Sequence, residues 1–265
     1  MTENSPATRR AALEKLAALL RYQQSCGIER YGDAEQIREA FARLRTQLAK
    51  PAVNETLVSS APAHPIEASE VPAVTPAVKT IAELASIISS CTNCELHSRR
   101  IYDTAGSTTT EPRLLIVGGW LDEVSAQSPR YLFGAQEDEM VKRMLAAISL
   151  SPDEVFITNL IKCAVAGKNV PTDVQTQSCF GHLKNQIELL VPRCILAMGT
   201  RAAHFLCGSS QPLSGLRGRF HFYTTASGRR IEVLATYHPS FLLANPEMKA
   251  ATWSDLQVLQ KRLNR

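Results

Sequence analysis

Four of the seven cysteines fall in two pairs whose spacing constrains the fold more than any other feature. Cys91 and Cys94 are separated by two residues, whereas Cys163 and Cys179 are separated by fifteen. A close pair offers two thiolates from one turn, and a second pair that closes a loop of its own can complete a shell around one soft metal centre. A fold that uses all four must carry the segment at Cys91 to the loop that follows Cys163. The surroundings agree with ligand chemistry. The N-terminus, MTENSPATRR, has no apolar signal-peptide core, and no apolar run reaches membrane-spanning length. A cytoplasmic location without a membrane partner is expected, and there cysteines serve as metal ligands or core residues rather than disulfides. Cys26, Cys194 and Cys207 lie outside the pairs and read as small core residues.

Read in order, the chain has three parts. Leu13, Leu16, Leu19 and Leu20 share one helical face, and Ile37, Phe41, Leu44 and Leu48 share another. The spacing predicts a helical hairpin over 1–48, suited to a protein partner. Residues 49–80 are dominated by Pro, Ala, Ser and Val, a composition that buries too little apolar surface to fold and reads as a flexible linker. From Ile81 onward, short apolar runs alternate with helical patterns. RLLIV (113–117), EVFIT (154–158), RCILAM (193–198) and IEVLAT (231–236) predict four strands, with helices over 137–150, 179–190, 200–206 and 253–263. Such alternation predicts an α/β domain over 81–265, a four-stranded parallel sheet sandwiched between helices.

In sheets of this kind ligands bind beyond the carboxyl ends of the strands. The residues there are Gly118 and Gly119, Asn159, Gly199 and Thr200, and His238. Glycine lets a backbone approach a ligand closely. Asparagine offers a donor and an acceptor together, which suits reading a base edge. Histidine can donate to a developing anion. The formal charge of +4 permits a nucleic-acid partner through a local patch without requiring one. Arg217, Arg219, Arg229 and Arg230, with Gly215 and Gly218 among them, suit a phosphate-contacting loop.

Taken together, CTNCELHSRR, VFITNLIKCAV with its gap to Cys179, RCILAMGTRAAHFLCG, LRGRF and TYHPSFLLANPEMKAATWSDL resemble the family 4, iron–sulfur branch of the uracil-DNA glycosylases. The resemblance spans about 82–265. It implies DNA as partner, a monomer, hydrolysis of the bond between uracil and deoxyribose in base excision repair, and a [4Fe–4S] cluster on Cys91, Cys94, Cys163 and Cys179. Spacing alone also admits zinc. By the same resemblance Asn159 reads the uracil edge, and His238, followed by Pro239 and Ser240, hydrogen-bonds the base as it leaves. Gly118 and Gly119 line the base site.

Two positions depart from the family pattern. Gly119 stands where the family carries a water-orienting Glu, and the family's Pro-Gly turn is absent from the Trp120-Leu121-Asp122 that follows. Asp122 and Glu123 are the nearest acids in the chain. The stacking aromatic falls on Tyr131 or Phe133, within PRYLFG rather than Pro-Phe-Val-Gly. Ala244 replaces a family Arg near the DNA groove. Two functions follow: a working uracil-DNA glycosylase, or a catalytically inactive relative that binds DNA or recruits a partner.

Overall fold

The computed structural model describes residues 78–121, 131–166 and 170–265. The expected hairpin, nearly all of the linker, Cys26, Asp122 and Glu123 lie outside the described residues. The strands are β1 (Arg100–Asp103), β2 (Leu114–Gly118), β3 (Val155–Asn159), β4 (Cys163–Val165), β5 (Cys194–Met198), β6 (Phe220–Thr224) and β7 (Arg230–Thr236). The helices are α1 (Ile81–Ser89), α2 (Ala135–Ala147), α3 (Asp173–Leu190), α4 (Thr200–Cys207), α5 (Leu213–Leu216), α6 (Pro239–Ala244) and α7 (Lys249–Leu263).

The central sheet has the order β3-β2-β5-β7-β6. Its first four strands are parallel and are the four expected from the sequence. The fifth, β6, is an addition: it runs antiparallel along the edge of β7. Its residues FHFYT are only partly covered, with Phe222 half exposed, so no continuous apolar run announces it. A second, two-stranded ribbon pairs β1 with β4.

The parallel strands are buried on both faces, and alternate residues feed different cores. Leu115 and Val117 of β2 join Ile195 and Ala197 of β5 and Val233 of β7 beneath α3 and α4. Leu114 and Ile116 join Leu196, Met198 and Leu234 beneath α2 and α7. Each fully buried Leu, Ile or Val contributes about 1.5–3 kcal/mol relative to exposure, so the sheet is the rigid frame. Cys194 belongs to this core, and burial pushes its thiol up to about 11. Thr80 caps α1 by accepting from the Glu83 N–H. The helix then delivers the chain to Cys91, whose N–H bonds the Ile88 carbonyl. No helix among the described residues is long and apolar enough to cross a membrane.

Candidate functional site

The carboxyl ends of the strands converge as expected. Gly118 of β2 and Asn159 of β3 are paired in register, and the chain leaving β3 is pinned by bonds from Leu160 N to Gly118 O and Ile161 N to Gly119 O. Gly199 follows β5 and donates to the Thr236 carbonyl at the end of β7, which leads directly to His238. A cleft of about 750 Å³ opens here, with Gly119, Tyr131, Phe133, His238 and Ser240 on its walls.

Phe133 is the common neighbour of the recognition groups. Its ring meets the His238 ring edge-on, with centroids 5.1 Å apart. Gly118 also lies against it: a Cβ there would come within 2.9 Å of Phe133 Cδ1 and 2.5 Å of Asn159 Oδ1. Only a residue without a side chain lets ring, amide and strand approach this closely. Asp138, in the first turn of α2, holds the aromatic by accepting from the N–H groups of Leu132 and Phe133, both at 2.9 Å. Tyr131 sits further out and donates its N–H to the Tyr102 hydroxyl. Of the two aromatics, Phe133 is therefore the one placed against Asn159 and His238.

Two polar atoms here are buried without a hydrogen-bond partner: Asn159 Oδ1 and His238 Nε2. Buried polar atoms are nearly always paired, and exceptions need a reason. The Asn159 amide is oriented by its Nδ2, which donates to the Leu132 carbonyl; a carbonyl can only accept, so Oδ1 is the acceptor left over. The same logic fixes the imidazole tautomer. His238 Nδ1 lies 3.3 Å from the Ser240 N–H, which can only donate, so Nδ1 is unprotonated and the ring proton sits on Nε2. The Ser240 hydroxyl, 2.8 Å from Nδ1, supports the same orientation. Although part of the ring remains accessible, Nε2 is shut away from solvent, and burial pulls the imidazole down to about 4. The site thus presents one unpaired acceptor and one unpaired neutral N–H donor around an aromatic ring.

Gly119 is different from Gly118. A Cβ there would meet nothing within 4 Å, so the position is open. Two carboxylates line the cleft among the described residues, Glu137 and Asp173. Asp173 faces Arg201 at 3.3 Å. The Glu137 carboxyl folds back over Gly134, where a Cβ would lie 3.0 Å from its Cδ, beside Phe133. Nothing in the sequence pattern singled out Glu137.

The four paired cysteines come together. Cys91, Cys94, Cys163 and Cys179 wall one small pocket with Lys162 and His182. The ribbon does much of this work: Asp103 pairs with Cys163, so the segment after Cys94 is laid along β4. Cys179 reaches the pocket from α3. N–H groups surround the sulfurs: His182 Nε2 is 3.1 Å from Cys91, Arg100 Nη1 is 3.8 Å from Cys163, and the Lys162 backbone N–H is 3.3 Å from Cys179. Burial raises the thiols of Cys163 and Cys179, the latter to about 11, while Arg100 and Lys162 pull them back. Metal binding would displace those protons. Among the described residues no three His, Cys, Asp or Glu side chains converge on an ion-sized point. Four thiols walling one pocket are a donor set that fits a thiolate-bound metal centre, iron–sulfur or zinc.

The basic residues divide. Arg217 is not on a phosphate-contacting face: it turns inward, bonds both carboxylate oxygens of Asp255, and stacks over Tyr237 at 5.3 Å. Asp255 also accepts from Thr236, so this pair ties α7 to the end of β7 beneath His238. Arg229 and Arg230 sit where β7 begins, the opposite end from His238, and Arg230 covers Phe222. Arg219 alone of the four is exposed near the site end, next to the start of β6.

Sequence reasoning also missed Lys162. It is 1% exposed, and burial pulls its ammonium down to about 7 against the opposing pull of the Cys179 thiolate. The available signal was a lysine inside the apolar run Leu160-Ile161-Lys162-Cys163.

A parallel sheet with an amide, an imidazole and an aromatic gathered at its carboxyl end is the frame of a ligand-binding α/β protein. The family model of the uracil DNA glycosylase superfamily matches residues 105–257, and the chain belongs to that superfamily. It is similar to a type-4 uracil-DNA glycosylase of Archaeoglobus fulgidus, 26% identical over 68% of this chain and 92% of the relative. A type-4 uracil-DNA glycosylase of Thermotoga maritima is 29% identical over 63% of this chain and 86% of its own length. A type-5 uracil-DNA glycosylase of Pyrobaculum aerophilum is 31% identical over 34% of this chain and 38% of the relative.

Proposed function

We propose that this protein hydrolyses the N-glycosidic bond of uracil in DNA, as a base-excision enzyme of the type-4 kind. One observation carries the reading: Asn159 Oδ1 and His238 Nε2 are buried, unpartnered and of opposite polarity in the neighbourhood of Phe133. Uracil offers an N3–H donor beside the O2 acceptor, the complement of that pair. Cytosine has an unprotonated N3 and would set acceptor against Asn159 Oδ1. A site built to pair a base edge rejects the wrong edge because its buried groups stay unsatisfied.

The target nucleotide must leave the stack to reach this depth. Phe133 supplies the stacking face, and Asn159 accepts from N3–H. As the glycosidic bond breaks, negative charge develops on the uracil O2, and His238 Nε2–H donates to it. The ring is neutral at neutral pH, so the stabilisation comes from a neutral, pre-oriented Nε2–H donor. Cleavage leaves an oxocarbenium-like sugar that water must trap. Gly119 cannot orient that water. Glu137 is the carboxylate of the cleft wall beside Phe133 that is not engaged with Arg201, and it takes this role. Cys91, Cys94, Cys163 and Cys179 would hold a [4Fe–4S] cluster, which would tie together the segment before β1, the start of β4 and α3.

The test is uracil release from a uracil-containing oligonucleotide at enzyme excess, with wild type, Glu137→Gln and Gly119→Glu compared. Release by wild type and a loss of about 10²–10⁴-fold in Glu137→Gln are expected, the magnitude of general-base catalysis. Release only by Gly119→Glu would instead establish an intact base pocket without a working carboxylate, and the inactive, DNA-binding reading would replace this one.

A further inference from the structure

Lys162 is buried, and the hydrogen-bond partners of its side-chain nitrogen are all neutral. Its Nζ donates to Thr158 Oγ1 at 2.7 Å, to the Asn159 carbonyl at 2.6 Å and to Gln186 Oε1 at 2.6 Å. Those bonds use all three ammonium hydrogens. No carboxylate among the described residues pairs with it. An ammonium buried without an opposing charge carries a desolvation penalty of several kcal/mol. The groups near it that become anionic on ligating a metal are sulfurs: Lys162 lines the four-thiol pocket, its own N–H donates to Cys179, and it directly precedes Cys163.

Its other end grips the recognition site. Thr158 and Asn159 are the last residues of β3, and the Asn159 side chain carries the unpaired acceptor. Gln186, from α3, donates in turn to the Ala105 carbonyl, so the ammonium is braced from the helix that also bears Cys179. A single side chain therefore spans from the thiol pocket to the backbone of the base-reading residue.

We propose that Lys162 is a positioning residue that couples an anionic thiolate-ligated cluster to Asn159. The negative charge of the cluster holds the ammonium in its buried place, and the ammonium holds the end of β3 so that Asn159 Oδ1 meets the base. The cluster thereby tunes base recognition as well as holding the fold. This rests on the cluster and glycosylase readings above.

The experiment compares wild type with Lys162→Met, which keeps an unbranched buried stem and removes the charge. Three quantities are measured on full-length protein: iron content, the reduction potential of the cluster by potentiometric titration, and the affinity for free uracil by calorimetry. Iron in both proteins, a lower potential in Lys162→Met because a nearby positive charge is gone, and at least tenfold weaker uracil binding are expected. Iron-loaded Lys162→Met with an unchanged potential, or with a shifted potential and unchanged uracil affinity, overturns the proposal. Absence of iron from wild type refutes the cluster reading, and iron-loaded wild type that binds no uracil refutes the glycosylase reading. If Lys162→Met does not fold, wild type alone decides. Coupling is reciprocal, so saturating uracil must move the potential of the wild-type cluster, and an unmoved potential overturns the proposal.

Discussion

The adjacent glycines 118 and 119 make a sharp test of the recognition geometry, because one methyl group should have opposite consequences at the two positions. At Gly118 the added Cβ lies 2.5 Å from Asn159 Oδ1 and 2.9 Å from Phe133 Cδ1. Restoring ordinary contact requires those atoms to retreat by about 0.5–1 Å. The strand cannot give way: β2 lies inside the sheet, bonded to β3 on one side and β5 on the other. Asn159 cannot give way without loosening its bond to the Leu132 carbonyl. Phe133 cannot give way without leaving His238 or straining the Asp138 cap. Overpacking of this kind costs about 1–3 kcal/mol, and at roughly 2–4 °C per kcal/mol for a domain of this size Gly118→Ala should melt several degrees lower. Displacing one base-edge hydrogen bond by the same shift should weaken uracil affinity by about 5–100-fold. Gly119→Ala meets no protein atom, so its melting temperature should match wild type. Parallel thermal scans and uracil calorimetry on the three proteins decide it. A Gly118→Ala protein indistinguishable from wild type, or a Gly119→Ala protein equally destabilised, would falsify the packing argument.

Further outcomes follow from the same geometry. Cys163→Ser should lose iron and the visible absorbance of a cluster and should unfold more readily, because ligand binding is coupled to folding; unchanged iron would refute its assignment as a ligand. His238 has a folded-state pKa near 4, below its ordinary 6.5, so the unfolded chain takes up the proton first as pH falls. Its contribution to stability is complete above about pH 6.5 and is lost progressively toward pH 4, by about 3 kcal/mol at most. Wild type should therefore show a steeper loss of stability between pH 6.5 and 4 than His238→Phe, and parallel curves would refute the neutral, buried imidazole. Asp255→Asn should destabilise the domain by about 3–5 kcal/mol by stranding Arg217, measured by urea denaturation. A small change there would show that Arg217 faces solvent.

Much of the frame was legible in the residues because it depends on local chemistry. Runs such as LLIV and CILAM have no polar face, so each needs cover on both sides, and that requirement alone leads to a parallel sheet between helices. Glycine, asparagine and histidine just past those runs mark the ligand-binding end, since strand direction fixes where ligands approach. Two cysteine pairs were recognisable by spacing because ligand geometry is written in short intervals. What only the tertiary structure decided lies in contacts between distant residues. The edge strand β6 takes its hydrogen bonds from β7 and needs no apolar run of its own. Arg217 turns inward because Asp255, on the last helix, waits for it. The polarity of the cleft depends on which atom the Leu132 carbonyl and the Ser240 N–H leave over on Asn159 and His238. Glu137 enters the cleft wall only because the turn at Gly134 folds α2 against the sheet end. Lys162 reads as an odd charge in an apolar run until Thr158, Gln186 and the four thiols surround it. A sequence states which groups a chain owns, whereas burial and the direction of each hydrogen bond, which decide what those groups can still do, arise only when remote segments are packed together.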